Sequence, residues 1–135
     1  MPANINPVFG LTPKEAFSTL TTANTAKDGT GTVVTVVTSG ANGCMVQDIR
    51  AMPLGTNTAS VLRVFVNNGS TNTTASNNSL WYEASLPATT LTELAAQNPV
   101  IIPINRTLQT GYKLNVVIGT TVAAGWAVTG SAEDF

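Results

Sequence analysis

The chain has 135 residues, of which 43% are hydrophobic, and this is the size and apolar content of one ordinary domain. Charged residues make up only 10% and the net charge is -1, whereas an average soluble protein has roughly 25% charged residues. Because the basic residues are scattered singly, they form no stripe that could neutralise phosphates, so neither nucleic acid nor a membrane is an expected partner.

The first 28 residues differ in character from the rest of the chain. They are rich in Thr, Asn and Ala, and Pro7 and Pro13 suit an arm laid on a partner as well as an edge strand. Residues 12–17 fit either one helical turn or a strand. The apolar side chains of this segment need a partner, and the candidates for contact with another subunit are Ile5, Val8, Phe9, Leu11 and Phe17.

Further along the chain, apolar residues recur at every second position in short runs, which is typical of β-strands. Residues 99–104 contain two prolines and predict an edge strand, and residues 90–97 fit a short turn or a strand. Residues 112–118 and 122–128 predict a hairpin closed at Gly119-Thr120. The other predicted strands are residues 32–38, 45–52 with a phase slip near Asp48, 60–66 and 80–86.

Seven or eight short strands with no long helix predict an all-β fold, an antiparallel β-sandwich of the jelly-roll type. We assign residues 29–135 to this domain. Residues 1–28 form either an N-terminal arm or its first edge strand, and the pattern leaves both open.

The sequence contains few of the residues that usually act in catalysis. Histidine is absent, which removes the usual general base and the commonest metal ligand. The acidic residues are dispersed, and Cys44, beside Met45 and Val46, is predicted to be a buried core thiol. We therefore predict a protein that is not an enzyme and has no catalytic residue, cofactor or metal site.

Residues 67–79 form a run of small polar residues between two apolar segments. Asn68, Asn72, Asn77 and Asn105 each begin an Asn-x-Ser/Thr triplet, but the composition alone produces such triplets and the start of the chain has no signal-peptide pattern. The run contains no aromatic or charged residue to grip a ligand. We interpret it as a solvated loop.

Among the aromatic residues, Tyr82, Tyr112 and Trp126 are in phase with aliphatic neighbours and are predicted to be buried. Trp81 is in phase with Glu83 and Ser85, so it is the one candidate for a sugar-stacking platform. A carbohydrate-binding or fibre-type sandwich is therefore the alternative function.

Two stretches resemble small virion proteins of tailed bacteriophages: residues 61–71, VLRVFVNNGST, and residues 111–119, GYKLNVVIG. More narrowly, the chain resembles capsid decoration or cement proteins. That resemblance implies a structural protein, often a homotrimer, that is made in the host cytoplasm and binds the major capsid protein on the outer capsid surface. In this interpretation the N-terminal candidates, with Phe9 and Phe17 as anchors, contact the capsid or another subunit.

Overall fold

Eight strands account for about half of the described residues. The computed structural model describes residues 10–135. A single 3-10 turn, Ala75–Asn77, precedes the fifth strand, and no helix in the described range is long and apolar enough to cross a membrane. The strands are β1 Thr12–Leu20, β2 Val34–Thr38, β3 Cys44–Pro53, β4 Ser60–Asn67, β5 Asn78–Leu86, β6 Val100–Leu108, β7 Lys113–Ile118 and β8 Trp126–Asp134.

The strands form two four-stranded antiparallel sheets packed face to face. One sheet has the order β1-β8-β3-β6 and the other β2-β7-β4-β5. The chain changes sheet at six of its seven connections, and only β4 and β5 are consecutive neighbours in one sheet. This is the strand order of a jelly roll, so the predicted antiparallel sandwich is confirmed, with eight strands.

The core lies between the two sheets and consists of alternate side chains from each strand. Its largest members include Trp126, Ile49, Leu62, Leu114 and Ile118, all with almost no exposed surface. Cys44 is also fully buried, as predicted. Burial of this apolar surface is the main favourable contribution to folding.

Local features of two strands match the sequence pattern. The register of β3 shifts between Val46 and Asp48, which confirms the predicted phase slip. Strand β6 lies at the edge of its sheet, as the prolines around residues 99–104 predict.

The two segments for which the sequence left alternatives open differ in structure. Residues 12–17 belong to the edge strand β1, and residues 90–97 form bends with no regular structure.

The predicted hairpin of residues 112–118 and 122–128 is wrong. Strand β7 pairs with β2 and β4, whereas β8 pairs with β1 and β3, so the two lie in different sheets. The buried Asn57 side chain fixes the connection between β7 and β8. Its Oδ1 accepts hydrogen bonds from the backbone N–H groups of Ala124 (3.0 Å) and Gly125 (2.8 Å). Val122 is buried in the connection and does not extend a strand.

Strand β1 is held at its start by an ion pair. Lys14 Nζ contacts Asp134 Oδ2 on β8 and donates to the Thr38 carbonyl at the end of β2 (2.6 Å). The Asp134 carboxylate also accepts from the Gly40 N–H (3.0 Å). The Lys14 ammonium, and secondarily the Gly40 N–H, lower the pKa of Asp134 below its ordinary value of 3.8.

We expect the Asp134→Asn variant to show a weaker loss of stability in acid than the unmodified chain. A carboxyl whose pKa is lowered by folding contributes stability above its ordinary pKa and loses that contribution as pH falls through the folded pKa. The difference is about 1 kcal/mol or less, because the pair is partly solvated. Urea unfolding at neutral and strongly acidic pH measures it.

Asp48→Asn is the matched control, since the Asp48 side chain has no hydrogen bond or ion pair to another described residue. Equal acid sensitivity of Asp134→Asn and the unmodified chain would show that the Lys14 pair does not stabilise β1.

Candidate interaction surface

The two sheets differ in what covers their outer faces. In the β2-β7-β4-β5 sheet, the central strand β7 is buried from Leu114 to Ile118 and β4 is buried from Val64 to Asn67, on both faces. In the other sheet, the central strands β3 and β8 alternate between buried and accessible residues. One outer face is therefore covered by other parts of the chain, whereas the other is open as far as residues 10–135 are concerned.

The covering element is the connection from β1 to β2, residues 21–33. It begins beside β7, where Ala23 forms a parallel bridge with Ile118 and the Asn24 N–H donates to the Ile118 carbonyl (2.9 Å). It reaches β5, where the Asp28 carbonyl accepts from the Asn78 side chain. Phe65 and Val117 are buried yet lie outside the main core cluster, and Val117 borders residues 21–25, 31 and 32 of this connection.

Three asparagine side chains bind the peptide carbonyls of five consecutive residues, 28–32, and we call this arrangement the asparagine clasp. Asn78 donates to Asp28 O (3.1 Å), and Asn72 donates to Gly29 O (3.1 Å) and Gly31 O (2.8 Å). Asn24 donates to the carbonyls of Thr30 and Thr32, each at 2.9 Å. Each carbonyl accordingly has a partner although no strand pairs with this segment.

The backbone of the clasped segment depends on glycine. Gly29 and Gly31 have φ values of 78° and 84°, in the left-handed region that glycine adopts without steric cost. A Cβ at Gly29 would also lie 2.6 Å from the Asn78 Cβ. Within the turn, the Asp28 carboxylate accepts from the Thr30 hydroxyl (2.6 Å), which lowers the pKa of Asp28.

The interpretation of residues 67–79 as a solvated loop is incomplete. Several of its side chains are exposed, but Asn72 and Asn78 are half-buried and hold the clasped segment. Two further amides stabilise the loop itself, from Asn67 to Asn78 Oδ1 (2.7 Å) and from Asn77 to Thr71 O (2.9 Å). Residues 67–79 therefore help to hold the connection of residues 21–33 against the β2-β7-β4-β5 sheet.

We expect Asn72→Ala to lower the free energy of unfolding by about 1–3 kcal/mol, because it removes two hydrogen bonds at roughly 0.5–1.5 kcal/mol each. Asn72→Asp should cost at least as much, since a carboxylate cannot donate and would face two carbonyl oxygens. Chemical denaturation of both variants measures these differences.

The control is Asn98→Asp, because Asn98 is exposed and has no hydrogen bond to another described residue. If Asn72→Asp were as stable as Asn98→Asp, the clasp would contribute nothing to the fold.

The open outer face of the β1-β8-β3-β6 sheet carries exposed apolar side chains. Phe17 on β1 lies beside Thr129 on β8. Thr129 lies beside Arg50 on β3, and Arg50 lies beside Ile101 on β6, so one row crosses the whole sheet. Phe17 is 78% exposed and Ile101 is 47% exposed, and Met45 on β3 is exposed on the same face. We call this surface the open face.

The described sequence candidates fall on or beside the open face. Phe17 is part of it, and Leu11, 77% exposed, immediately precedes β1 and donates its N–H to the Asp134 carbonyl (2.7 Å). Ile5, Val8 and Phe9 lie outside the described residues. Sequence analysis did not select Met45 and Ile101, although their alternation with buried Val46 and Ile102 would have placed them on the outer face.

The aromatic residues of β5 are arranged differently from the prediction. The pairing of β4 with β5 skips Trp81, which is a bulge between Leu80 and Tyr82. Trp81 is half-buried, packs against the core and has the Arg106 guanidinium 5.5 Å from its ring centroid. Tyr82 is 45% exposed, so its predicted burial is wrong, whereas Trp126 is buried as predicted. Tyr112 is half-buried against the core.

A second ion pair joins β4 and β5. Arg63 Nε donates to Glu83 Oε1 (2.7 Å) across β4 and β5, and this hydrogen bond lowers the pKa of Glu83. Among residues 10–135, no three His, Cys, Asp or Glu side chains are grouped so that they could hold a metal ion.

Comparison with known proteins gives one distant structural similarity. No protein-family model matches the chain, and no curated protein matches it. The chain is similar to a chain in the "Structure of infectious bursal disease virus Gx strain", with 13% sequence identity and a TM-score of 0.39. The match covers 98% of this chain and 37% of the viral chain, so this protein spans little more than a third of that length.

Proposed function

We infer that this protein is a non-enzymatic structural protein of a virus particle. More narrowly, we propose that it decorates the outer surface of a tailed-phage capsid and stabilises contacts between neighbouring major capsid subunits. The observation that carries the proposal is the open face, where large apolar side chains remain exposed although the opposite sheet is covered.

The composition of the open face suits contact with protein. Phe17, Ile101 and Met45 share this face with Thr129 and with charged side chains, among them Arg50 between Phe17 and Ile101 and Glu133 beside Met45. Aromatic residues, Met and Arg are enriched in protein interfaces relative to the rest of the surface. Exposed apolar side chains grouped on one sheet face indicate an interaction site, whereas single scattered ones do not.

The size of the open face favours several copies acting together. Four strands spaced about 4.8 Å apart and about 30 Å long cover roughly 500–600 Å². A stable interface of standard size takes about 600–1,000 Å² from each partner, so one open face lies near the lower limit. Joining copies in a homotrimer, the oligomer that we propose, would raise the affinity for the shell through multivalency without any new kind of contact.

We expect Phe17→Asp combined with Ile101→Asp to reduce binding to capsids that lack this protein by at least tenfold. Truncating a hot-spot residue at the centre of an interface costs about 2 kcal/mol or more, and we expect Phe17 and Ile101 to be such residues. Because both side chains are exposed, the melting temperature of the free protein should change little. Sedimentation of capsids with labelled protein measures binding, and heating measures the disruption temperature of the shell.

Leu94→Asp is the matched control, since Leu94 is 97% exposed but lies outside the strands, in the connection from β5 to β6. Capsid binding by the double variant that equals that of Leu94→Asp would refute the role of the open face. An unchanged disruption temperature at full occupancy would refute stabilisation of the shell and leave decoration alone.

A further inference from the structure

The charged side chains of the open face are unevenly distributed. Three carboxylates lie on the half of the face where β1 begins and β8 ends: Glu15, Asp48 and Glu133. Glu15 and Asp48 lie on either side of Ser131 in one row of the sheet, and Glu133 lies in the next row toward the start of β1. Arg50 lies in the row on the opposite side, and no other charged side chain follows it toward the end of β1. The open face is therefore acidic at one end and, apart from Arg50, uncharged at the other.

The three carboxylates have no cationic partner among residues 10–135. Neither of the two ion pairs in this range includes one of them. The basic side chains of β1 and β6, Lys14 and Arg106, are in register with buried Ala132 and Val46, so they face the opposite sheet. Glu133 accepts one hydrogen bond, from the neutral amide of Gln47 (3.1 Å).

The spacing of the carboxylates leaves them repelling one another across the face. Neighbouring strands lie about 4.8 Å apart, and alternate residues of one strand lie about 6.8 Å apart. The three side chains are therefore on the order of 10 Å from one another, which is about one Debye length at 0.1 M salt. Cationic groups placed opposite them would remove this repulsion and add attraction.

These charges restrict what can cover the open face. A carboxylate that loses its water without gaining a partner costs free energy, so the covering surface has to supply positive charge. A metal ion does not suit this role, since no three acidic side chains of residues 10–135 are close enough together to hold one. Residues 1–9 contain no lysine or arginine. A second copy packed face to face would bring three more carboxylates and only one guanidinium, so the repulsion would remain.

We propose that the protein surface bound by the open face is basic opposite the three carboxylates, where it carries several lysine or arginine side chains, and apolar opposite Phe17 and Ile101. This inference rests on the proposed function, in which that surface belongs to the capsid shell, and it adds the chemistry of the shell. Opposite charges would speed the encounter and set the direction in which β1 runs across the shell, while the apolar row would supply most of the affinity.

The salt dependence of binding to capsids that lack this protein, measured by sedimentation of the labelled full chain, tests this proposal. Salt screens attraction between charges and does not weaken apolar contact. The affinity of the unmodified chain should fall by about fivefold or more between about 0.05 M and about 0.5 M sodium chloride. The triple variant Glu15→Gln, Asp48→Asn, Glu133→Gln should bind about tenfold more weakly at the lower concentration and lose most of this salt dependence.

A matched pair of single variants controls for a general effect of charge and of folding. Glu15 on the open face and Glu93 in the connection from β5 to β6 are both exposed, and neither side chain has a hydrogen bond or ion pair to another described residue. Glu15→Gln should weaken binding at low salt, whereas Glu93→Gln should leave it unchanged. The melting temperature of the triple variant should be no lower than that of the unmodified chain, and the single variants decide the matter if it is lower.

Two kinds of failure are distinguishable. Capsid binding by the triple variant and by Glu15→Gln that equals or exceeds that of the unmodified chain, or binding that salt does not weaken, would overturn the basic partner surface. The proposed function would then still stand if Phe17→Asp with Ile101→Asp reduced binding. Absence of any binding by the unmodified chain would overturn both.

Discussion

Asparagine amides supply the hydrogen bonds that the long connections of this sandwich require. A jelly roll sends its chain repeatedly from one sheet to the other, and most of the backbone of these crossings lies outside the strand ladders. Asn24, Asn72 and Asn78 bind the carbonyls of residues 28–32, and Asn57 binds the backbone of Ala124 and Gly125. Neutral amides satisfy these groups without the desolvation cost of burying charge.

The asparagine clasp also contributes to the difference between the outer faces of the two sheets. It holds residues 28–32 beside the β2-β7-β4-β5 sheet, where Phe65 and Val117 are buried and Leu80 on the edge strand is 38% exposed. Among residues 10–135 no comparable connection covers the other sheet, and Phe17 and Ile101 are exposed on it. The difference between the two faces therefore follows from hydrogen bonds in a connection and not from the strands themselves.

The sequence pattern predicts structural features that depend on neighbouring residues. It does not predict features that depend on contacts between residues far apart in the chain. Alternation located the strands and the slip near Asp48 because side-chain direction along a strand has a period of two. It could not assign β7 and β8 to different sheets, since Asn57 lies 67 and 68 residues from the N–H groups that it binds. The clasp is equally non-local, because Asn72 and Asn78 bind carbonyls 41–50 residues away.

The candidate surface was only partly predictable for the same reason. The exposure of Phe17 follows from the outward phase of β1, but its position in one row with Ile101 requires the order β1-β8-β3-β6. The exposure of Tyr82 follows from a bulge at Trp81 that only the pairing with β4 reveals.

Hydroxyl-radical footprinting of the free and capsid-bound protein tests the central claim most directly, because it reports the accessibility of individual side chains. We expect Phe17 and Met45 on the open face to be protected from hydroxyl radicals in the capsid-bound protein. Tyr82, in the opposite sheet, should be oxidised to the same extent as in the free protein. Protection of Tyr82 with unchanged reactivity of Phe17 and Met45 would contradict it.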